Sequence, residues 1–136
     1  MILEQVKTVF NQLNKDNLHL LEDIYTEDLE FRDPLHHLHS RKELTNYFAK
    51  SYKGILFSHF KFKEELVGDG QAVLFWKMQF RHKWLKRGEL IELDGNSHLK
   101  FSEKVYYHRD YLDSNELVFE NIPLLGRGLS KLKSLV

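Results

Sequence analysis

After Gly54 the chain switches from a helical spacing of apolar residues to alternation, and it keeps that rhythm for most of its remaining length. Alternation with a period of two places successive side chains on opposite faces of a strand. The pattern predicts strands over 55–67 and 71–84, one long strand or two over 89–112 with a bend at Gly95 or near Ser102, and a final strand over 116–122. Gly68-Asp69-Gly70 and Lys86-Arg87-Gly88 read as the turns between them. In 71–84, Leu74, Trp76, Met78, Phe80, His82 and Trp84 share one face, with Val73, Phe75, Lys77, Gln79 and Arg81 on the other. Phe60 and Phe62 share a face of the preceding strand.

Before Gly54, Val6, Phe10 and Leu13, then Leu18, Leu21 and Ile24, recur at helical spacing. They predict helices over 2–14 and 17–25, with Asp16 or Asn17 as the second cap. Ser40 and Glu43 form a capping box ahead of a third helix over 41–52. Three short helices cannot cover both faces of so wide a twisted sheet. The expected architecture is therefore a single α+β domain over 1–136: a cone-shaped, strongly curved antiparallel sheet wrapped around three N-terminal helices, with a cavity at its wide end.

Lys plus Arg and Asp plus Glu both number 20, so the formal net charge is zero. That balance argues against a nucleic-acid binder and opposes self-association only weakly. Val73 and Phe75 on the outer face suit a homodimer contact. With no cysteine, disulfides, thiolate metal sites and thiol catalysis are excluded. No leader or long apolar span is evident, so a cytoplasmic protein is expected. The basic tail 124–136, interrupted by Gly126 and Gly128, reads as a lid or dimer contact rather than a membrane anchor.

The chemistry centres on Phe31-Arg32-Asp33-Pro34. Alternation through Leu29, Phe31 and Asp33 carries a carboxylate onto an apolar face, where it suits a general base. The plainer reading is that Asp33 opens a turn before Pro34. Later, Tyr107, Arg109 and Tyr111 share one face and His108, Asp110 and Leu112 the other. The register expected here aims Tyr107, Arg109 and Tyr111 at the cavity, where Arg109 would bind a carboxylate or stabilise an enolate. A bend near Ser102 would flip that register and turn His108 and Asp110 inward. Phe10, Phe31, His36, Phe48, Trp76, Phe80 and His82 complete the expected pocket wall. His36, His37 and His39 read as a loop rim of imidazoles, with no metal site expected.

The run Leu20-Leu21-Glu22-Asp23-Ile24-Tyr25-Thr26-Glu27-Asp28-Leu29-Glu30-Phe31-Arg32-Asp33-Pro34, the helix beginning Arg41-Lys42-Glu43-Leu44 and the meander together resemble the nuclear transport factor 2-like (NTF2-like) superfamily, in its ketosteroid isomerase and SnoaL-like polyketide cyclase branch. The resemblance implies a pocket protein and places Asp33 where the isomerase keeps its base. It implies acid–base chemistry on a small apolar carbonyl compound, with no cofactor. Phe10 stands where the isomerase has a Tyr donor, and Tyr107 falls where it has a protonated Asp, so a steroid isomerase is disfavoured. An inward Asp110 beside Asp33 would resemble the paired carboxylates of an epoxide hydrolase of the same superfamily, although Arg109-Asp110 departs from that enzyme's spacing. A non-catalytic binder of a small hydrophobic molecule and a dimeric interaction module are the alternatives.

Overall fold

The structure, a computed structural model, describes residues 1–113. The strand expected over 116–122 and the tail 124–136 lie outside the described residues. Helix α1 spans Ile2–Gln12 and buries Ile2, Leu3, Val6, Val9 and Phe10 along one side. The second expected helix is shorter than its spacing suggests: a 3-10 turn at Leu18–Leu20 runs into a single α-turn, α2, at Leu21–Ile24. Asn17 does not cap it; its side chain instead accepts from Asn14 N and donates to Gln12 O, which closes the loop behind α1. Strand β1 then begins at Tyr25 and runs to Arg32. A two-residue strand, β2, follows at His37–Leu38.

Helix α3, Arg41–Ser51, starts as expected. Ser40 Oγ accepts from Glu43 N at 3.1 Å, satisfying one of the first-turn donors that lack a partner within a helix. The Glu43 carboxylate reaches back to His39 N at 2.9 Å. The meander follows as β3 (Ile55–Gly68), β4 (Gln71–His82), β5 (Ile91–Phe101) and β6 (Val105–Leu112). The sheet order is β2-β1-β6-β5-β4-β3. Every pairing is antiparallel except β1 with β6, so the sheet is mixed rather than wholly antiparallel. That one parallel pair joins the N-terminal strand to the end of the meander and leaves β3 as an edge.

The three helices lie over the concave face, and the core forms between them. Leu21, Ile24, Tyr25, Leu29, Leu44 and Leu99 have no exposed surface, and Phe31, Leu74 and Ile91 almost none. The inward row of β4 is as expected at Leu74, Trp76, Phe80 and His82. Trp84 is not part of it: β4 ends at His82, and Trp84 stands exposed on the following turn. Among the described residues no helix is long and apolar enough to cross a membrane.

Candidate functional site

The inner face of β6 carries the polar centre of the fold. An irregularity separates the pair Phe101–Val105 from Lys100–Tyr107, so one extra residue enters β6 at its start. A one-residue shift exchanges the two faces of a strand. His108 and Asp110 therefore turn inward, and the expected inward set of Tyr107, Arg109 and Tyr111 turns outward. Tyr107 packs edge-on against His98 with Lys100 over its ring, and the Arg109 guanidinium lies 4.7 Å over the ring of Tyr111. All three sit on the convex face, away from the cavity.

His108 is buried against Phe10, Tyr25 and Phe31. Its Nδ1 is 2.6 Å from the Tyr25 hydroxyl and its Nε2 2.7 Å from Asp110 Oδ1. Burial, with the Asp110 charge adding to it, raises the Tyr25 phenol well above its ordinary range, so that hydroxyl keeps its proton and is available to donate. The network then assigns the directions. The Asp110 carboxylate only accepts, which assigns a proton to Nε2; in that tautomer Nδ1 accepts from the Tyr25 O–H. On the other side Ser97 Oγ donates to Asp110 Oδ1 at 2.5 Å and accepts from Trp76 Nε1 at 2.9 Å. Asp110 Oδ1 thus receives two hydrogen bonds, whereas Oδ2 receives none from the described residues. Val6, Phe10, Phe60, Phe62, Leu74, Trp76, Ser97, His108 and Asp110 line a cavity of about 20 Å³ here, the room of a single water molecule.

Asp33 forms a second centre. β1 ends one residue before it, at Arg32, and Asp33 opens a turn while still reaching Tyr47, the ring that Phe31 also touches. Its Oδ1 accepts from Leu35 N at 2.9 Å and His36 N at 2.8 Å, with His36 Nδ1 at 3.2 Å. Its N–H donates to His36 O. Oδ2 accepts from the Tyr47 hydroxyl at 2.5 Å, and the Tyr47 and His36 rings stack 4.2 Å apart. Burial first, and the Asp33 charge second, push the Tyr47 phenol far above its ordinary range, so it too remains a donor. The two centres meet through an aromatic wall. Phe31 touches both Tyr47 and His108, and Phe48 touches Phe10, Phe31 and Tyr47.

The remaining expected residues divide. Phe10 and Trp76 line the cavity. Phe31 and Phe48 brace it, Phe80 is core, and Tyr111 is exposed. His82 is buried at the far end of β4, beside Gly54 and Trp84. Its Nδ1 accepts from Trp84 N at 3.2 Å, and Nε2 has no partner among the described residues. Burial, with Lys83 beside it, lowers the His82 pKa. The neutral ring therefore belongs to the native state, and stability is full above the unfolded-state value of about 6.5 and falls as pH drops below it. His98, on the outer face, shifts in the same direction. We expect the melting temperature to fall between pH 7.5 and 5.5, with a shallower slope in His82→Gln; an equal slope in the two proteins would remove His82 as a source.

No described group of three or more His, Cys, Asp or Glu side chains is arranged to hold a metal ion. A larger groove, of about 350 Å³, lies between Leu18–Glu22, Glu27 of β1 and α3, and none of the expected site residues lines it. Tyr25 and Ser97 carry no mark in the sequence. Tyr25 hides at the end of an apparent helix and Ser97 in an ordinary polar–apolar alternation; the only signal for the centre is the spacing of His108 and Asp110.

A six-stranded curved sheet with helices on its concave face and a polar centre beneath them defines an α+β protein of the NTF2-like kind. The chain belongs to the SnoaL-like domain family, whose model matches residues 6–108. Solved structures of the same fold include an NTF2-like protein of unknown function from Burkholderia pseudomallei, with a TM-score of 0.74 at 12% identity over 87% of this chain and 92% of that one. A hypothetical protein with a ketosteroid isomerase-like fold from Catenulispora acidiphila, in complex with trimethylamine, has a TM-score of 0.73 at 12% identity, covering 87% and 89%. An LEH-like epoxide hydrolase from M. tuberculosis has a TM-score of 0.72 at 12% identity, covering 96% and 93%. Likeness at these identities is one of fold. Comparison with curated proteins finds no match.

Proposed function

We propose that this SnoaL-like protein takes a small hydrophobic carbonyl compound against the inner face of β6 and moves a proton on it, in cofactor-independent isomerase or cyclase chemistry in the cytoplasm, with Asp110 as the base. One observation carries this reading: a carboxylate lining an aromatic cavity has one oxygen held by Ser97 and His108 and the other free of the described residues. Such a group is oriented, and its open oxygen can accept a proton from a carbon beside a carbonyl. The two donors hold the carboxylate in place; after transfer the proton resides on Oδ2 and returns to the substrate at another position. Asp33, where the resemblance places the base, has both oxygens engaged by Leu35, His36 and Tyr47 and serves in this reading to fix the aromatic wall. Tyr107 and Arg109 take no part, since they face outward. A substrate enters by displacing Phe60 and Phe62, which sit on the edge strand β3.

The test works without naming a substrate. Incubation with a panel of enolisable cyclic ketones in D₂O, followed by mass spectrometry, should show deuterium incorporation faster than in buffer. Asp110→Asn should lower that rate by roughly 10²- to 10⁴-fold, the range for losing a general base, and Asp33→Asn by much less. No ketone exchanging above buffer would sink the catalytic reading. A second reading is favoured by the cavity's size: at about 20 Å³ it leaves the fold nearly filled, as in a dimeric interaction module. The homodimer belongs to either reading. Leu66 and Val73 are cross-strand partners on the outer face, with Phe75 beside them and Tyr111 beyond Asn96, and a second copy would cover these side chains.

A further inference from the structure

We infer that the tip of the sheet built by the start of β3 and the turn after β4 docks on an anionic lipid surface. This goes beyond the proton-transfer reading and does not depend on it. Three large apolar side chains stand exposed there: Leu56 at 60%, Trp84 at 49% and Phe57 at 46%. They share the tip with cations. Phe57 is the cross-strand partner of Arg81, and Arg81 Nη1 donates to Gly88 O at 3.2 Å. Leu56 Cδ1 lies 3.7 Å from the position a Cβ on Gly88 would take, so strand and turn are in contact. Lys83 N donates to Gly54 O at 2.9 Å, and Lys83 Nζ lies 4.5 Å from the centre of the Trp84 ring. Between 81 and 89 the chain carries the exposed cations Arg81, Lys83, Lys86 and Arg87 against one acid, Glu89. In a chain of zero net charge, that local excess is a concentrated patch rather than a share of a basic surface.

The backbone points the same way. Lys86 and Arg87 hold φ values of 48° and 56°, and Gly88 follows at 78°. Left-handed conformations are unfavourable for side-chain-bearing residues and persist where the surrounding structure imposes them. Glycine would suit positions 86 and 87 better for folding, yet both carry long cationic side chains. Exposed Trp, Phe and Leu ringed by Lys and Arg match the boundary of a charged bilayer, where amphipathic rings enter the headgroup layer and cations meet phosphate or carboxylate groups. A nucleic acid would satisfy the cations and stack on Trp84 but offers no counterpart to Leu56, so lipid is the favoured occupant.

The chain reports its own binding, because its two Trp residues differ: Trp76 is 3% exposed and Trp84 is at the tip. The experiment is co-sedimentation and Trp emission with phosphatidylcholine vesicles, with or without roughly 30 mol % phosphatidylserine. We expect binding and a blue shift only with the anionic vesicles, both reversed by about 0.5 M salt. Replacing Lys86→Gly and Arg87→Gly together removes two charges and relieves both left-handed positions. The double variant should melt no lower than the parent, yet partition about 20- to 30-fold less onto anionic vesicles. Absence of binding to anionic vesicles overturns the inference. So does undiminished binding by the double variant, which places the contact elsewhere on the chain, and so does a single-stranded oligonucleotide that outcompetes the vesicles.

Discussion

Gly95→Ala should lower the melting temperature by roughly 10–15 °C, although it adds one methyl group to the middle of a regular strand. Gly95 sits in β5 opposite Trp76 of β4 and Leu112 of β6. A Cβ there would lie 2.5 Å from Trp76 Cη2 and 2.6 Å from the Tyr111 carbonyl oxygen. Both distances are well inside van der Waals contact, and neither neighbour is free to retreat. The Tyr111 oxygen is backbone in β6. Trp76 is buried and tied by its Nε1 to Ser97. Overpacking of this kind costs about 1–3 kcal/mol, occasionally more, and detaching Trp76 from Ser97 adds about 1 kcal/mol. For a chain of this size each kcal/mol corresponds to about 3–5 °C. Thermal unfolding followed by Trp emission checks this. A shift under about 3 °C would mean that the indole moves aside without penalty, and the close packing argued for the cavity wall would not hold.

Why the sheet is readable and its centre is not follows from what local patterning encodes. The inward row of β4 is legible because an apolar set at period two has only one face it can bury. The cap at Ser40 is legible because a hydroxyl three residues before Glu43 answers a local need of the helix terminus. Register is different. Tyr107 and His108 have equal claims on the inside until the extra residue after Val105 is known. A bend near Ser102 is legible as the place where the register could flip, and the flipped register is the one the structure adopts; alternation alone finds the strand but does not choose between its two faces. At Asp33 the two readings of the sequence divide: β1 stops at Arg32, and the Asx-type bonds from Leu35 and His36 make Asp33 the start of a turn at Pro34, as the plainer reading has it. The parallel pairing of β1 with β6 is invisible because its partners lie far apart along the chain and share no local signal. The same separation hides Tyr25, whose hydroxyl acquires a role only when β6 brings His108 beside it.

That long-range bond carries the second large prediction. His108→Phe should destabilise the fold by about 3–5 kcal/mol while conserving an aromatic ring in contact with Phe10 and Phe31. The substitution takes away the acceptor of the fully buried Tyr25 hydroxyl, at about 1–3 kcal/mol, and removes a hydrogen bond to the Asp110 carboxylate, worth about 1.5–3 kcal/mol. Tyr25→Phe alone should cost about 1–2 kcal/mol, since it strands only Nδ1 of His108. Combined, the two changes remove both ends of the Tyr25–His108 bond, so the double variant should be less destabilised than the sum by about 1–2 kcal/mol. Urea unfolding of the four proteins at neutral pH measures this directly. Additivity to within about 0.3 kcal/mol would show that the hydroxyl and the imidazole do not bond in solution. In that case the tautomer assigned to His108 loses its support, and with it the argument that Nε2–H holds Asp110 Oδ1 and leaves Oδ2 as the base. A coupling of the expected size, found together with a larger loss of ketone exchange in His108→Phe than in Tyr25→Phe, would tie the orientation of the carboxylate to this buried chain of hydrogen bonds.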